Sequence, residues 1–282
     1  MRANLGCGNH ICAGWINIDI RCTGPGVVVH DLSKGIPLPD ASCDVVYHSD
    51  ILEHLTRPDA QLFMRECFRV LKPGGILRVA VPDLEQICRQ YLLMLDRALA
   101  REVRAVYDYE WIMLELFDQM VRQQTGGGMR TYLQQDPLPN EAFVNERIGA
   151  EGRQLISSLR AESAQSEHSQ GGINAGLTAY LRSVGRRILG EIAQKVVFWP
   201  GGRRFMEAYR LVRFRMGGEV HQWMYDRYSL AQLMLSVGLR DPLQQSALTS
   251  RIPGWIDVAL DVLPDRTVRK PDSLFMEALK PK

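Results

Sequence analysis

The sequence contains no run of about 18 consecutive apolar residues, the minimum length of a transmembrane helix. The chain also enters a strand-like segment directly after Met1, which predicts that no secretory signal is present. With 46% hydrophobic and 23% charged residues, these absences predict an ordinary globular protein of the cytoplasm. At 282 residues, the chain can form one large core, or one core with a substantial insertion.

Paired cysteines are also absent. The six cysteines all lie in the first third of the chain, and none of them forms a C-x-x-C pair. Neither a disulfide framework nor a cysteine zinc site is therefore expected, and the cysteines are interpreted as reduced thiols. Cys7 lies in a glycine turn, where a packing role is more plausible than a role as nucleophile.

The turn around Cys7 lacks a third glycine. Asn4-Leu5-Gly6-Cys7-Gly8-Asn9 is typical of a strand that leads into a ligand-binding turn, but a dinucleotide fingerprint would place glycine where Ile11 stands. This difference disfavours a nicotinamide or flavin cofactor. The next strand, Trp15 to Asp19, ends on a carboxylate that can accept hydrogen bonds from both hydroxyls of a ribose. An equal alternative is that Asp19 only caps the strand end.

The net charge of +2 is unevenly distributed. Residues 177–216 contain nine basic and two acidic side chains, a local charge of +7, so the remainder carries −5. Three interpretations are open: a solvated helical face, peripheral contact of 177–216 with an anionic membrane, or binding of an anionic acceptor such as a phosphorylated or lipid-linked glycan. Nucleic acid is disfavoured, because no aromatic stacking platform accompanies the charge.

Strand and helix patterns alternate through the first part of the chain, which predicts an α/β fold. Beyond Leu84, helical spacing predominates as far as residue 216, with a loop expected at 164–176. The predicted elements are strands at 2–5, 15–19, 27–30, 43–48 and 76–81, a helix from Arg57 to Lys72, and later helices at 84–99, 103–121, 141–159, 177–199 and 203–216. In such a sheet the ligand site lies at the carboxyl ends of the strands.

Four short motifs follow one another along these first strands. They are Asn4-Leu5-Gly6-Cys7-Gly8; Asp31-Leu32 with Leu38-Pro39-Asp40-Ala41-Ser42-Cys43-Asp44-Val45-Val46-Tyr47; Leu52-Glu53-His54-Leu55; and Glu66-Cys67-Phe68-Arg69-Val70-Leu71-Lys72-Pro73-Gly74-Gly75. In this order they closely resemble the class I S-adenosylmethionine (SAM)-dependent methyltransferases of the type 11 group. The resemblance covers residues 4–83, and residues 225–239 and 273–278 are similar to the family's last helix and final strand.

The resemblance implies a Rossmann-like, mostly parallel seven-stranded sheet flanked by helices, with a large helical insertion after the fifth strand. Residues 1–83 and 221–282 would form the SAM-binding core, and 84–220 an insertion or lid. It also implies roles for individual residues. Gly6 and Gly8, together with Asn4 and Cys7, would contact the methionine part of SAM, Asp19 the ribose, Asp31 and Leu32 the adenine, and His48 and Ser49 would lie beside the sulfonium.

One departure from the family pattern concerns the connection to Asp19. The family usually has a full helix there, whereas only residues 9–14 are available. We therefore predict that Asn9 and His10 contact the cofactor in place of the missing helix N-terminus.

Methyl transfer is a direct displacement, so a base is needed only for a hydroxyl or protonated amine acceptor. The candidate catalytic residues are His221, Asp50 and His54, although His221 could equally be a packed histidine beside Trp223. Asp50-x-x-Glu53-His54 is similar to the E-x-x-E-H arrangement of metal-dependent ubiquinone-pathway and small-RNA methyltransferases. Because Glu-His is also common in metal-free members, no metal is expected.

The sequence thus predicts a SAM-dependent methyltransferase that acts on oxygen or nitrogen of a small-molecule or saccharide acceptor. The alternative is a SAM-binding scaffold or sensor without catalytic activity.

Overall fold

The computed structural model describes residues 1–168 and 202–282, with side chains described for 1–161 and 204–282. Its centre is a seven-stranded sheet. The strands are β1 (Arg2–Leu5), β2 (Ile16–Asp19), β3 (Val27–Val29), β4 (Cys43–Ser49), β5 (Leu71–Pro82), β6 (Arg240–Gln245) and β7 (Ser273–Leu279). The helices are α1 (Arg57–Val70), α2 (Leu84–Leu99), α3 (Ala105–Met113), α4 (Gln119–Val121), α5 (Gly127–Leu133), α6 (Glu141–His168), α7 (Gly202–Arg215), α8 (Arg227–Ser236) and α9 (Trp255–Val258), with 3-10 turns at Leu32–Lys34 and Leu52–His54.

The sheet is mixed. Its strand order is β3-β2-β1-β4-β5-β7-β6. The pairs from β3 to β5 are parallel, whereas β7 is antiparallel to both β5 and β6. The predicted seven-stranded α/β sheet is therefore confirmed, with one reversed strand near its edge. The carboxyl ends of β1, β2 and β4 lie at one edge, where a ligand site is expected.

Alternation along the strands divides their side chains between two faces, because successive residues of a strand point to opposite sides. On one face, which we call the helical face, α1 and α8 cover the sheet. This face holds a single apolar cluster, to which β5 contributes Leu77 and Val79 and α1 contributes Met64 and Cys67.

Helix α1 begins where local chemistry favours a helix start. The Thr56 side chain accepts a hydrogen bond from the Asp59 backbone N–H, and Pro58 occupies the first turn, where its missing N–H costs nothing. The helix then buries the apolar stripe predicted by its sequence spacing.

The opposite face, which we call the loop face, is covered mainly by residues 246–262 and by the short connection between β1 and β2. Its apolar contacts are smaller and include Tyr47, Trp255 and Phe275. Fully buried Arg78 projects into this cover, where it pairs with Asp261 and Glu277 at 2.7 Å each.

The helices that follow β5 share a further apolar cluster, centred on Trp111, Ile112 and Leu133. The predicted helix at 84–99 is confirmed by α2, and the predicted helix at 203–216 by α7. Among the helices of the described residues, none is long and apolar enough to cross a membrane. The basic helix predicted at 177–199, and most of the segment 177–216 considered for membrane contact, lie outside the described residues.

The sequence prediction differs from the structure at two places. Residues 164–168 continue α6, whereas the sequence predicted a loop from 164 to 176, and residues 169–176 lie outside the described part of the chain. Strand β6 was not predicted, because Pro242 interrupts its sequence. The strand tolerates this proline because β6 is an edge strand with a register shift between Arg240 and Leu243.

Candidate active site

A cavity of about 260 Å³ opens at the carboxyl ends of β1 and β4. The predicted cofactor residues that line it come from the first turn and from the end of β4. They are Asn4, Gly6, Cys7, Gly8, Asn9, His10 and Ser49. The cavity therefore brings together most of the residues predicted to contact the methionine part of SAM.

The glycine turn has a backbone that favours glycine. Gly6 and Gly8 have φ values of 60° and 49°, in the left-handed region. A Cβ on Gly6 would lie 2.7 Å from Cδ1 of Ile51, whereas a Cβ on Gly8 would point into open space. Gly6 thus permits close packing against the segment after β4, and Gly8 leaves room on the cavity side.

The connection between β1 and β2 has no helix, as the sequence predicts. Two buried asparagines hold it instead. The Asn4 side-chain amide donates to the His10 carbonyl at 2.8 Å and to Oδ1 of Asn17 at 3.0 Å, while Asn17 bonds both backbone groups of Cys12 at 2.9 Å. Asn4 therefore supports the loop that carries Asn9 and His10 into the cavity.

The two acidic residues predicted to bind the nucleoside lie at the same edge of the sheet. Asp19 ends β2 and accepts hydrogen bonds from the backbone N–H of Gly8 at 2.9 Å and of Arg21 at 3.0 Å. Asp31 caps the 3-10 turn that contains Leu32. Leu32 lines a second cavity of about 500 Å³ together with Ile51.

His48 lies elsewhere. Its side chain is fully buried on the helical face, with its ring centroid 5.1 Å from that of Phe63. Burial lowers the pKa of His48 to about 3. Because neighbouring residues of a strand point to opposite faces, Tyr47 and Ser49 line the cavity and the His48 ring does not.

Sequence patterns gave no indication of two further residues at the cavity, Lys270 and Glu151. Lys270 forms ion pairs with Asp50 and with Glu151, the latter at 3.3 Å, and Nε2 of His10 lies 3.4 Å from Glu151. Burial lowers the pKa of Lys270, but the carboxylates of Asp50 and Glu151 raise it more, so its pKa lies above the usual value.

These groups come from distant parts of the chain, and Gly149 makes their meeting possible. Its φ of 63° lets α6 kink, and a Cβ there would lie 2.6 Å from the carbonyl oxygen of Arg269. The Glu151 N–H donates to the same carbonyl at 3.3 Å. The close approach of α6 to the segment before β7 therefore places Glu151 beside Lys270.

The three predicted catalytic residues lie near one another. Asp50 lines the first cavity and also a neighbouring one of about 500 Å³, which His54 and His221 line as well. The ring centroids of His54 and His221 are 4.8 Å apart. Burial, and then the neighbouring His54 and Arg122, lower the pKa of His221 to about 3.

Residues 5–79 match the family model of the methyltransferase domain. The predicted resemblance is confirmed over this segment. A probable S-adenosylmethionine-dependent methyltransferase of Mycolicibacterium smegmatis is 42% identical over 74 residues, which are 26% of this chain and 25% of that protein. Another, of Mycobacterium tuberculosis, is 50% identical over 48 residues, or 17% of each chain. The chain thus matches about a quarter or less of the length of these methyltransferase relatives.

Among solved structures, a SAM-dependent methyltransferase from Archaeoglobus fulgidus aligns with 99% of this chain and 85% of its own, at 12% identity and a TM-score of 0.38.

Proposed function

We propose that the protein is a SAM-dependent methyltransferase that transfers a methyl group to oxygen or nitrogen of a small-molecule or saccharide acceptor. The observation that carries this proposal is the cavity around Gly6 and Gly8, formed within the segment that matches the methyltransferase domain. When bound, SAM supplies an electrophilic methyl group, and the protein has to align the acceptor and exclude water.

The residues present suit the parts of this cofactor. Gly6, Gly8, Asn9 and His10 would surround its methionine end, where backbone can approach closely because two Cβ atoms are missing. The carboxylate of Asp19 would accept hydrogen bonds from the ribose hydroxyls. Its oxygens each have one backbone donor in the structure, which leaves acceptor capacity on both.

The adenine would pack near Leu32, beside Asp31. The cavity lined by Leu32 and Ile51 offers apolar side chains next to Gly6, and adenine has two apolar faces. Asp31 already holds Ser33 with its Oδ1, so its role toward adenine would be to fix the turn that carries Leu32.

We infer that the described part of the predicted insertion, residues 84–168 and 202–220, forms a lid over the acceptor. Support comes from Glu151 of α6, which reaches the cavity and bonds to Lys270 on the sheet side. Asp50 is the candidate base nearest the reacting groups, because it alone among the three predicted catalytic residues lines the cavity of the glycine turn. Asp50 is paired with Lys270 in the structure. To act as the base, its carboxylate would have to release Lys270 and bind the acceptor instead.

The test begins with binding. Calorimetry with S-adenosylhomocysteine should show one site, and Asp19→Asn should weaken binding about 10–100-fold, since a hydrogen bond to a charged group contributes about 1.5–3 kcal/mol. Asp96→Asn on α2 is the matched control and should bind like the parent. Equal affinity in both variants would contradict the assignment of Asp19.

Activity is tested separately, by tritium transfer from labelled SAM into fractions of small molecules and glycans. Transfer into one fraction supports the enzyme. Binding without transfer into any fraction would favour the alternative, a SAM-binding scaffold or sensor.

A further inference from the structure

Three side chains that bind metals well converge beside the end of β4. Glu53 and His54 belong to the 3-10 turn Leu52–His54, and His221 lies in the segment between α7 and α8. One carboxylate oxygen of Glu53 and one ring nitrogen of each histidine all lie within 4.8 Å of one another. A cation placed between them would be within reach of all three.

The buried polar atoms of this cluster have few partners. Glu53 is 1% exposed and His221 is 5% exposed. Within the described part of the chain, Nδ1 of His54 and Nδ1 of His221 have no hydrogen-bond partner, and the carboxyl group of Glu53 has the carboxyl group of Asp50 as its side-chain neighbour. Buried polar atoms are almost always hydrogen-bonded, so two unpartnered ring nitrogens beside a buried carboxyl group require an explanation.

We propose that Glu53, His54 and His221 form a binding site for a divalent metal ion. An ion there would satisfy one lone pair from each side chain at once. No ion pair of Glu53 is found among the residues described, so a metal ion would have no protein cation to displace from it.

The backbone holds the ligands in fixed register. The N–H groups of Gln222 and Trp223 both donate to the carbonyl of Glu53, at 2.6 and 3.2 Å, and the His221 N–H donates to the carbonyl of Gln119 at 2.9 Å. The segment that carries His221 is therefore fastened directly to the turn that carries Glu53, so the cluster does not depend on side-chain packing alone.

The His54 ring is oriented as a metal ligand would be. The ring donates a hydrogen bond to the backbone carbonyl of Val220. Metal-binding histidines usually donate their second ring N–H to such a carbonyl, which fixes the tautomer and leaves the other nitrogen free. Here the unpartnered nitrogen is Nδ1.

The nearby cations do not exclude a metal ion, because each already has carboxylate partners. Arg122 pairs with Asp118 at 3.1 Å and with Glu219 at 3.3 Å. Lys270 pairs with Asp50 and Glu151. Arg122 and Lys270, which both line this cavity, are thus each balanced by two carboxylates.

The donor set indicates which metals fit. Two imidazole nitrogens and one carboxylate oxygen suit Zn²⁺ and similar transition-metal ions, whereas Ca²⁺ and Mg²⁺ prefer oxygen ligands throughout. Three protein ligands also leave a coordination position for water or another molecule. That position would face the cavity shared with Asp50. This proposal differs from the sequence prediction, in which the Glu53-His54 pair binds no metal.

The test uses Co²⁺ as a spectroscopic probe on the full chain, treated with chelator and without SAM, so that its result is independent of the proposed methyltransferase activity. We expect one Co²⁺ per chain with weak visible bands of nitrogen and oxygen ligands. Loss of an outer-shell partner alone weakens metal binding about 10–100-fold. Glu53→Gln, His54→Gln and His221→Gln should therefore each weaken binding by more than about 100-fold.

Matched controls are His30→Gln and Glu146→Gln, which change the same residue types outside the cluster and should bind like the parent. Thermal unfolding without metal checks that each variant folds, and Glu53→Gln keeps the side-chain shape. Binding that persists in any of the three cluster variants would overturn the site. A lack of stoichiometric binding would do the same, as would a strong thiolate-to-cobalt band that assigns the metal to cysteines.

Discussion

The two faces of the sheet are stabilised in different ways. On the helical face, α1 and α8 press apolar side chains such as Met64 and Leu230 against the strands, and the result is one continuous cluster. On the loop face, residues 246–262 provide few helical contacts, and the apolar clusters are smaller. The buried side chain of Arg78 lies at the centre of the loop face.

Arg78 organises the loop face through several kinds of contact. It donates to the carboxylates of Asp261 and Glu277 and to the carbonyls of Ser246 and Thr249, at 2.7–2.9 Å. Its guanidinium carbon lies 4.4 Å from the ring centroid of Trp255. Loops do not pair all of their own backbone N–H and C=O groups as helices do. An arginine, with five N–H donors, can therefore bond the carbonyl groups of the loops that cover this face.

The largest effect is expected from Arg78→Met. The change leaves Asp261 and Glu277 buried without their cation, and breaking a buried ion pair by removing one partner costs about 3–5 kcal/mol. Urea unfolding followed by circular dichroism measures the loss. Adding Glu277→Gln should recover part of it, because one unpaired buried charge is removed, while the amide oxygen can still accept from the Arg251 N–H and the amide NH₂ can donate to the Ser250 hydroxyl.

The cost of Arg78→Met should also depend on pH. Stranded carboxylates have raised pKa values, so the variant gains stability relative to the parent as the pH falls from 7 toward about 4. A loss below about 1 kcal/mol, or one that is the same at both pH values, would show that the loop face does not depend on this network.

On the helical face, Met64→Ala is expected to cost about 2–5 kcal/mol through lost burial and a cavity. Met64 is fully buried in the apolar cluster. Unlike Arg78→Met, Met64→Ala leaves no buried charge unpaired. Its loss of unfolding free energy should therefore stay constant between pH 4 and 7. Leu62→Ala is the control on the same helix: Leu62 is 57% exposed, and less than about 0.5 kcal/mol is expected. A marked pH dependence for Met64→Ala would contradict the contrast between the faces.

Tyr47→Phe tests the outer part of the Arg78 network. The Tyr47 hydroxyl donates to Oδ1 of Asp261 at 2.7 Å, and both groups are buried. Removing a hydrogen bond to a charged group costs about 1.5–3 kcal/mol. The ring keeps its contact with Trp255, so the apolar cover stays intact. Additivity of Tyr47→Phe and Arg78→Met in the double variant would indicate that Asp261 does not couple them.

The same contrast explains which parts of the structure could be predicted from sequence. The strands and α1 depend on local patterns and turn residues, so their positions, and the edge of the sheet that holds the ligand site, could be predicted from the sequence. The glycine turn and the absence of a helix before Asp19 could be predicted for the same reason. Local signals do not reveal which distant segments meet, so Glu151 and Lys270 were missed at the cavity.

A weak signal for the loop-face network was nevertheless present. Arg78 and Glu277 are each the only charged residue within otherwise apolar segments, 76–81 and 274–278. Opposite charges on two buried strands favour neighbouring positions, and the two residues do face each other in the β5–β7 register. Asp261 lies in a loop and Trp255 begins the four-residue helix α9, and no sequence periodicity marks either residue.

The smallest effect is expected at the surface, where charges pair without being buried. Asp44 bonds the amino terminus at 2.7 Å and Lys72 at 2.8 Å, and its side chain is 57% exposed. The hydrogen bond from Lys72, and then that from the amino terminus, lower the pKa of Asp44 to about 2. Its contribution is therefore present above the unfolded pKa of about 3.9 and is lost as the pH falls toward about 2. Solvent and salt screen such pairs, so Asp44→Asn should cost less than about 1 kcal/mol at pH 7, and less still in 1 M salt. A loss as large as that of Arg78→Met would mean that burial is not what distinguishes the two ion networks.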